Sequence, residues 1–142
     1  MTNTRMRDWR AADGQQLPMA GVHSLAERTF RQGDIPSVRR FAVEFGARAG
    51  MRSVRLSDFV LAVSEAAACT VAGGPCTARL RLWASGRRVF WEAHGESLSH
   101  RGPGRQDEAE GLRRRLLHRL CDYASVQAGP DGVTVLASIS VS

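Results

Sequence analysis

Residues 78–85, ARLRLWAS, constrain the fold more than any other stretch. Ala78, Leu80, Leu82 and Ala84 fall on one side, while Arg79, Arg81 and Trp83 fall on the other. That period of two is the pattern of a strand with one face buried. Gly86-Arg87-Arg88 then turns the chain into Val89–His94, VFWEAH, a second strand rich in aromatics. Together they read as an antiparallel hairpin with one covered face. The same alternation places Trp83 outward beside two arginines, as the one large apolar group on the polar side. It is therefore a candidate partner-binding residue.

Two helical patterns precede the hairpin. In the first, Asp34 offers an N-cap, Pro36 suits the first turn, and Val38, Phe41, Phe45 and Ala49 recur at helical spacing until Gly50. In the second, Ser57 or Asp58 is the expected cap. Phe59, Val60, Val63, Ala67 and Val71 form its apolar stripes, and Gly73-Gly74-Pro75 ends it. Residues 23–32 read as an edge strand. Residues 96–111, ESLSHRGPGRQDEAEG, lack periodicity and read as a long surface loop of the kind that serves as a lid. A third helix is expected from Leu112 to Cys121. After it, YASVQA and VTVLASIS flank GPDG, a strong hairpin signal. This order predicts an α+β fold: a two-layer α/β sandwich with a mixed, mostly antiparallel sheet and helices on one face. Residues 1–22 are expected to be a flexible N-terminal tail, and 23–142 a single domain.

The chain has 142 residues and a formal charge of +6, and all of its basic residues are arginine. Such a balance suits an acidic protein partner or nucleic acid. Only Arg113-Arg114-Arg115 forms a block, and no aromatic residues interleave it, which disfavours single-strand recognition. The three cysteines, Cys69, Cys76 and Cys121, form no repeated C-x-x-C spacing, so neither a disulfide framework nor a structural zinc site is indicated. No spacing requires Cys69, Cys76, His94 and His100 to share a metal, and no metal site is predicted. No apolar run reaches the roughly 18 residues of a membrane span. The first residues lack the apolar segment of a secretory signal, so a cytoplasmic protein is expected.

Three phrases, PSVRRFAVEF, DFVLAVSEAA and LCDYASVQAGPDGVTV, occur in an order that resembles the anti-sigma-factor serine kinases of the histidine-kinase-like ATPase (GHKL) superfamily. The resemblance runs from about Phe30 to the C-terminus. It implies the fold of that superfamily, homodimerisation, ATP and Mg²⁺ as cofactors, and a sigma factor or an anti-anti-sigma protein as partner. It also assigns positions. Glu65 matches the family's catalytic glutamate, and Cys69 stands where the family has a Mg²⁺-ligating asparagine. The adenine-reading aspartate falls on Gly95, or on Glu96 with a one-residue shift. The phosphate-binding Gly-x-Gly, expected at a turn opening the last helix, falls on Gly111 to Arg113.

Each nucleotide-binding element thus departs from the pattern. Mg²⁺ prefers hard oxygen ligands over a thiol, glycine cannot hydrogen-bond adenine through a side chain, and an arginine replaces the second phosphate-loop glycine. The expectation is a regulator acting through protein–protein contact, with a degenerate ATP site and with Arg113, Arg114, Arg115 and Trp83 as partner-binding candidates. An ATP-dependent serine kinase with an unusual site is the alternative reading, and a small basic nucleic-acid-binding module is a second.

Overall fold

The computed structural model describes residues 22–72, 76–96 and 105–142; for residue 23 and residues 105–110 it describes the backbone alone. Most of the expected tail, the Gly73-Gly74-Pro75 stop and much of the expected lid lie outside the described residues.

The strands are β1 (Val22–Phe30), β2 (Ala78–Ser85), β3 (Arg88–Gly95), β4 (Tyr123–Gly129) and β5 (Gly132–Ser140). The helices are α1 (Ile35–Arg48), α2 (Ser53–Val71) and α3 (Arg105–Leu120), with a short 3₁₀ turn at Gln32–Asp34 before α1. The strands form one sheet in the order β1-β2-β3-β5-β4. Every described pairing is antiparallel, so the sheet is not mixed as expected. The reason lies in the connections. Two tight turns make the β2–β3 and β4–β5 hairpins, and the crossover through α1 and α2 returns β2 antiparallel to β1. β4, which runs in the same direction as β3, is kept from pairing with it by β5 between them.

The alternation in β2 reads through to the structure. Ala78, Leu80, Leu82 and Ala84 join Val89, Trp91 and Ala93 of β3 and Val133, Val135, Ala137 and Ile139 of β5 beneath the helices. α2 is the central helix. Its small residues Ala62, Ala66 and Ala67 are fully buried, and Phe59 meets the Trp91 ring edge-on at 5.3 Å. The Trp91 indole N–H is buried and has no hydrogen-bond partner among the described residues.

Three boundaries differ from expectation. Val22 belongs to β1 rather than to the tail. α2 begins at Ser53, a full turn before Ser57 and Asp58, which are therefore interior rather than capping residues. That extra turn is held by packing: a Cβ at Gly46 of α1 would meet the Leu56 side chain at 2.7 Å, so the two helices already touch there. α3 begins at Arg105, not Leu112, and takes in residues expected to be loop. No apolar stripe marks that first stretch. The acids Asp107, Glu108 and Glu110 ahead of the arginines nevertheless suit the helix dipole. Asp34 does stand at the N-cap of α1, yet its carboxylate accepts from the Arg31 backbone N–H at 2.9 Å and so closes the 3₁₀ turn.

Candidate functional site

Glu65 lies on α2 where the helix faces α3, and there the structure brings two predicted site residues together. Arg113 Nε stands 3.6 Å from Glu65 Oε1, with side chains 32% and 25% exposed respectively. The separation is too long for a hydrogen bond, and Arg113 Nε has no hydrogen-bond partner among the described residues. The contact is therefore coulombic: a guanidinium set against a carboxylate, both partly buried, between α2 and α3.

Cys69 sits one turn beyond Glu65 on the same helical side. The helix turns this side inward, leaving Cys69 only 4% exposed among core residues. Its neighbour Thr70 is buried and donates its hydroxyl to the Ala67 carbonyl at 2.7 Å. The face that begins at a half-exposed carboxylate thus ends within the core.

Gly95 closes the far end of β3. A Cβ there would run into the backbone carbonyl of Thr70, and one at Gly132 would run into the carbonyl of Gly95. Three backbones therefore meet without side chains between them. A carboxylate at position 95 has no room, so this position is a packing contact between sheet and helix. Gly132 also adopts φ +119, which glycine reaches without strain.

Gly111 and Arg113 do not open a helix. Both lie well inside α3, whose first residue is Arg105. The backbone N–H groups of an interior turn are committed to the helix, so no phosphate-binding turn exists at this position. Arg114 and Arg115 are exposed, as is Leu112.

Trp83 departs furthest from its expected exposure. It does face away from the helices, but it is buried, 2% exposed, and stacked on Phe90 with ring centroids 5.7 Å apart and planes within 10°. Val22 and Tyr123 pack around this pair. Cross-strand register explains the stack, since Trp83 and Phe90 are direct partners in the β2–β3 hairpin. Trp83 is thus the centre of a second, smaller core and not an exposed contact residue.

The same outer face holds a charged row that no motif signalled. Glu27 Oε2 lies 3.3 Å from Arg79 Nε and 3.1 Å from Arg81 Nε, and Arg81 Nη1 lies 3.7 Å from Glu92 Oε1. Beside it, His94 Nδ1 and Thr134 Oγ1 are 2.7 Å apart. Opposite charges in register across β1, β2 and β3 were the available signal.

A cavity of about 560 Å³ opens between Arg31, Gln32, Gly33, Cys76 and Thr77, and no predicted site residue lines it. All three cysteines are thiols. Burial, with Asp122 adding to it, pushes the Cys121 thiol up to about 12. Among the described residues no group of three or more His, Cys, Asp or Glu side chains is placed to hold a metal ion. No described helix is long and apolar enough to cross a membrane. Compared with known proteins, the chain matches no family model and no curated relative.

Proposed function

We propose that this chain is an anti-sigma-factor-like regulator that works by binding a protein, a sigma factor or an antagonist of the anti-anti-sigma type, and that it transfers no phosphate. The observation that carries the proposal is the Glu65–Arg113 pair. A kinase of the resembled kind needs that carboxylate beside a hard divalent cation held by oxygen ligands. Here a guanidinium stands 3.6 Å from Glu65, and the ligand position one turn away is a buried thiol. Gly95 is walled by the Thr70 backbone, and Gly111 lies within a helix. These residues do not fit Mg²⁺-ATP. A binding surface needs none of them, and a net charge of +6 favours an acidic partner through steering and complementarity.

A thermal-shift series with Mg²⁺-ATP separates this reading from the kinase alternative. The expected result is no shift at millimolar nucleotide, together with recovery of a sigma factor or its antagonist on co-purification from the native cell. Saturable ATP binding that Glu65→Ala abolishes would sink the proposal. The nucleic-acid reading draws on Arg113, Arg114 and Arg115, of which Arg114 and Arg115 are exposed, and it predicts gel-shift binding that weakens steeply between low and physiological salt.

A further inference from the structure

The β1 strand combines three features that the regulator reading does not use. First, β1 is an edge: among the described residues it pairs with β2 alone, through eight of its nine residues. Most of its length is exposed, including Ser24, Leu25, Glu27, Arg28 and Thr29. Natural edges are commonly blunted by proline, by charged side chains, by bulges or by a covering element. β1 has no proline, its charged pair Glu27 and Arg28 lies in its second half, and Ser24, Leu25 and Ala26 ahead of that pair are uncharged. Its one irregularity is a register shift between Val22 and Ser24.

Second, a groove of about 200 Å³ runs beside that edge, lined by Ser24, Leu25 and Ala26 of β1 and by Phe45, Arg48 and Ala49 of α1. Its floor is apolar, since Phe45 is buried and Ala49 packs on the core. Leu25, on the opposite side of the strand by register with Trp83, is 48% exposed. Third, the mouth of the groove is basic. Arg48 is exposed and forms no ion pair among the described residues, and residues 22–48 carry five arginines against three acids.

An edge strand beside a helix, with a slot floored by apolar side chains between them, is the geometry of strand addition. Main-chain hydrogen bonds supply affinity, and alternate side chains enter the slot. We propose that β1 and α1 capture an extended peptide segment as a sixth strand, with an apolar side chain seated over Phe45 and Ala49 and an acidic side chain two residues away reaching Arg48. The period of two puts both side chains on the same face of the incoming strand.

The test is an anisotropy titration with a fluorescein-labelled octapeptide, Thr-Ile-Thr-Glu-Thr-Ile-Thr-Glu, which carries isoleucine and glutamate on one face. Saturable binding with Kd below about 1 mM is expected. Replacing both glutamates by lysine should weaken it about tenfold, as should Arg48→Glu in the protein. Ser24→Lys, at an exposed position and with circular dichroism unchanged, should block the edge and weaken binding at least about tenfold. Amide exchange should slow at 24–28 and stay unchanged at 123–129, the other edge of the sheet. Absence of binding at millimolar peptide, an affinity indifferent to these substitutions, or protection at 123–129 instead would overturn the proposal. So would protection of 24–28 that rises with protein concentration without peptide, which would mark a second copy as the occupant.

Discussion

Glu65 and Arg113 show how one side chain can change what a position is able to do. Their 3.6 Å separation and partial burial place them between a solvent-screened pair and a desolvated one. A double-mutant cycle with Glu65→Gln and Arg113→Gln, read by urea unfolding, is expected to return a coupling of about 1 kcal/mol that shrinks as salt rises. Cys121 carries a different signature. Its thiol is raised from an ordinary 9.0 to about 12, because burial, and then Asp122, disfavours the thiolate. Below pH 9 both folded and unfolded chains hold the proton, and the thiol leaves stability unchanged. Between 9 and 12 the unfolded chain alone ionises, so stability falls by about 1.4 kcal/mol per pH unit. Cys121→Ala should lower stability at neutral pH through lost packing yet flatten this alkaline decline, and urea titrations at pH 8 and 10.5 compare the two slopes.

The elements meet most tightly where glycines let them. Gly95 of β3 lies against Thr70 of α2, and Gly132 of β5 lies against Gly95, so any added Cβ must displace backbone. Gly95→Ala is expected to cost about 1–3 kcal/mol, whereas Gly33→Ala, with nothing within 4 Å, should stay within about 0.5 kcal/mol, both by chemical denaturation. This contact also shows where the sequence was readable. β2, β3, β4, β5 and α1 announced themselves through alternation, aromatic content, GPDG and helical spacing, because those cues are local to each element; that β3 and β5 are buried on both faces was not among them. The start of α3 carries no apolar stripe, and its sole cue is acids preceding bases. The first turn of α2 depends on Leu56 meeting Gly46, a contact between elements that local patterning cannot express. Alternation gave the correct side for Trp83 but not its burial, since period reports direction and not cover. Of the candidate site, the approach of Glu65 to Arg113 was invisible, because a partner 48 positions away leaves no local trace.

At the scale of the molecule, a nucleotide that bound the native state would raise its stability by RT ln(1 + [L]/Kd), roughly 2.7 kcal/mol at a hundredfold excess over Kd. That is a rise of several degrees in Tm for a domain of this size, so the flat thermal series expected with Mg²⁺-ATP is a decisive readout. The strand order carries a consequence in time as well. β2–β3 and β4–β5 are joined by tight turns and close over short loops. β1 instead reaches β2 only after both α1 and α2 have been laid down between them. Loop-closure entropy makes that pairing a late event in folding, and a strand with one neighbour is also the least costly to release. Of the two edge strands, β1 is therefore the expected slow margin, its pairing forming after the β4–β5 hairpin has closed.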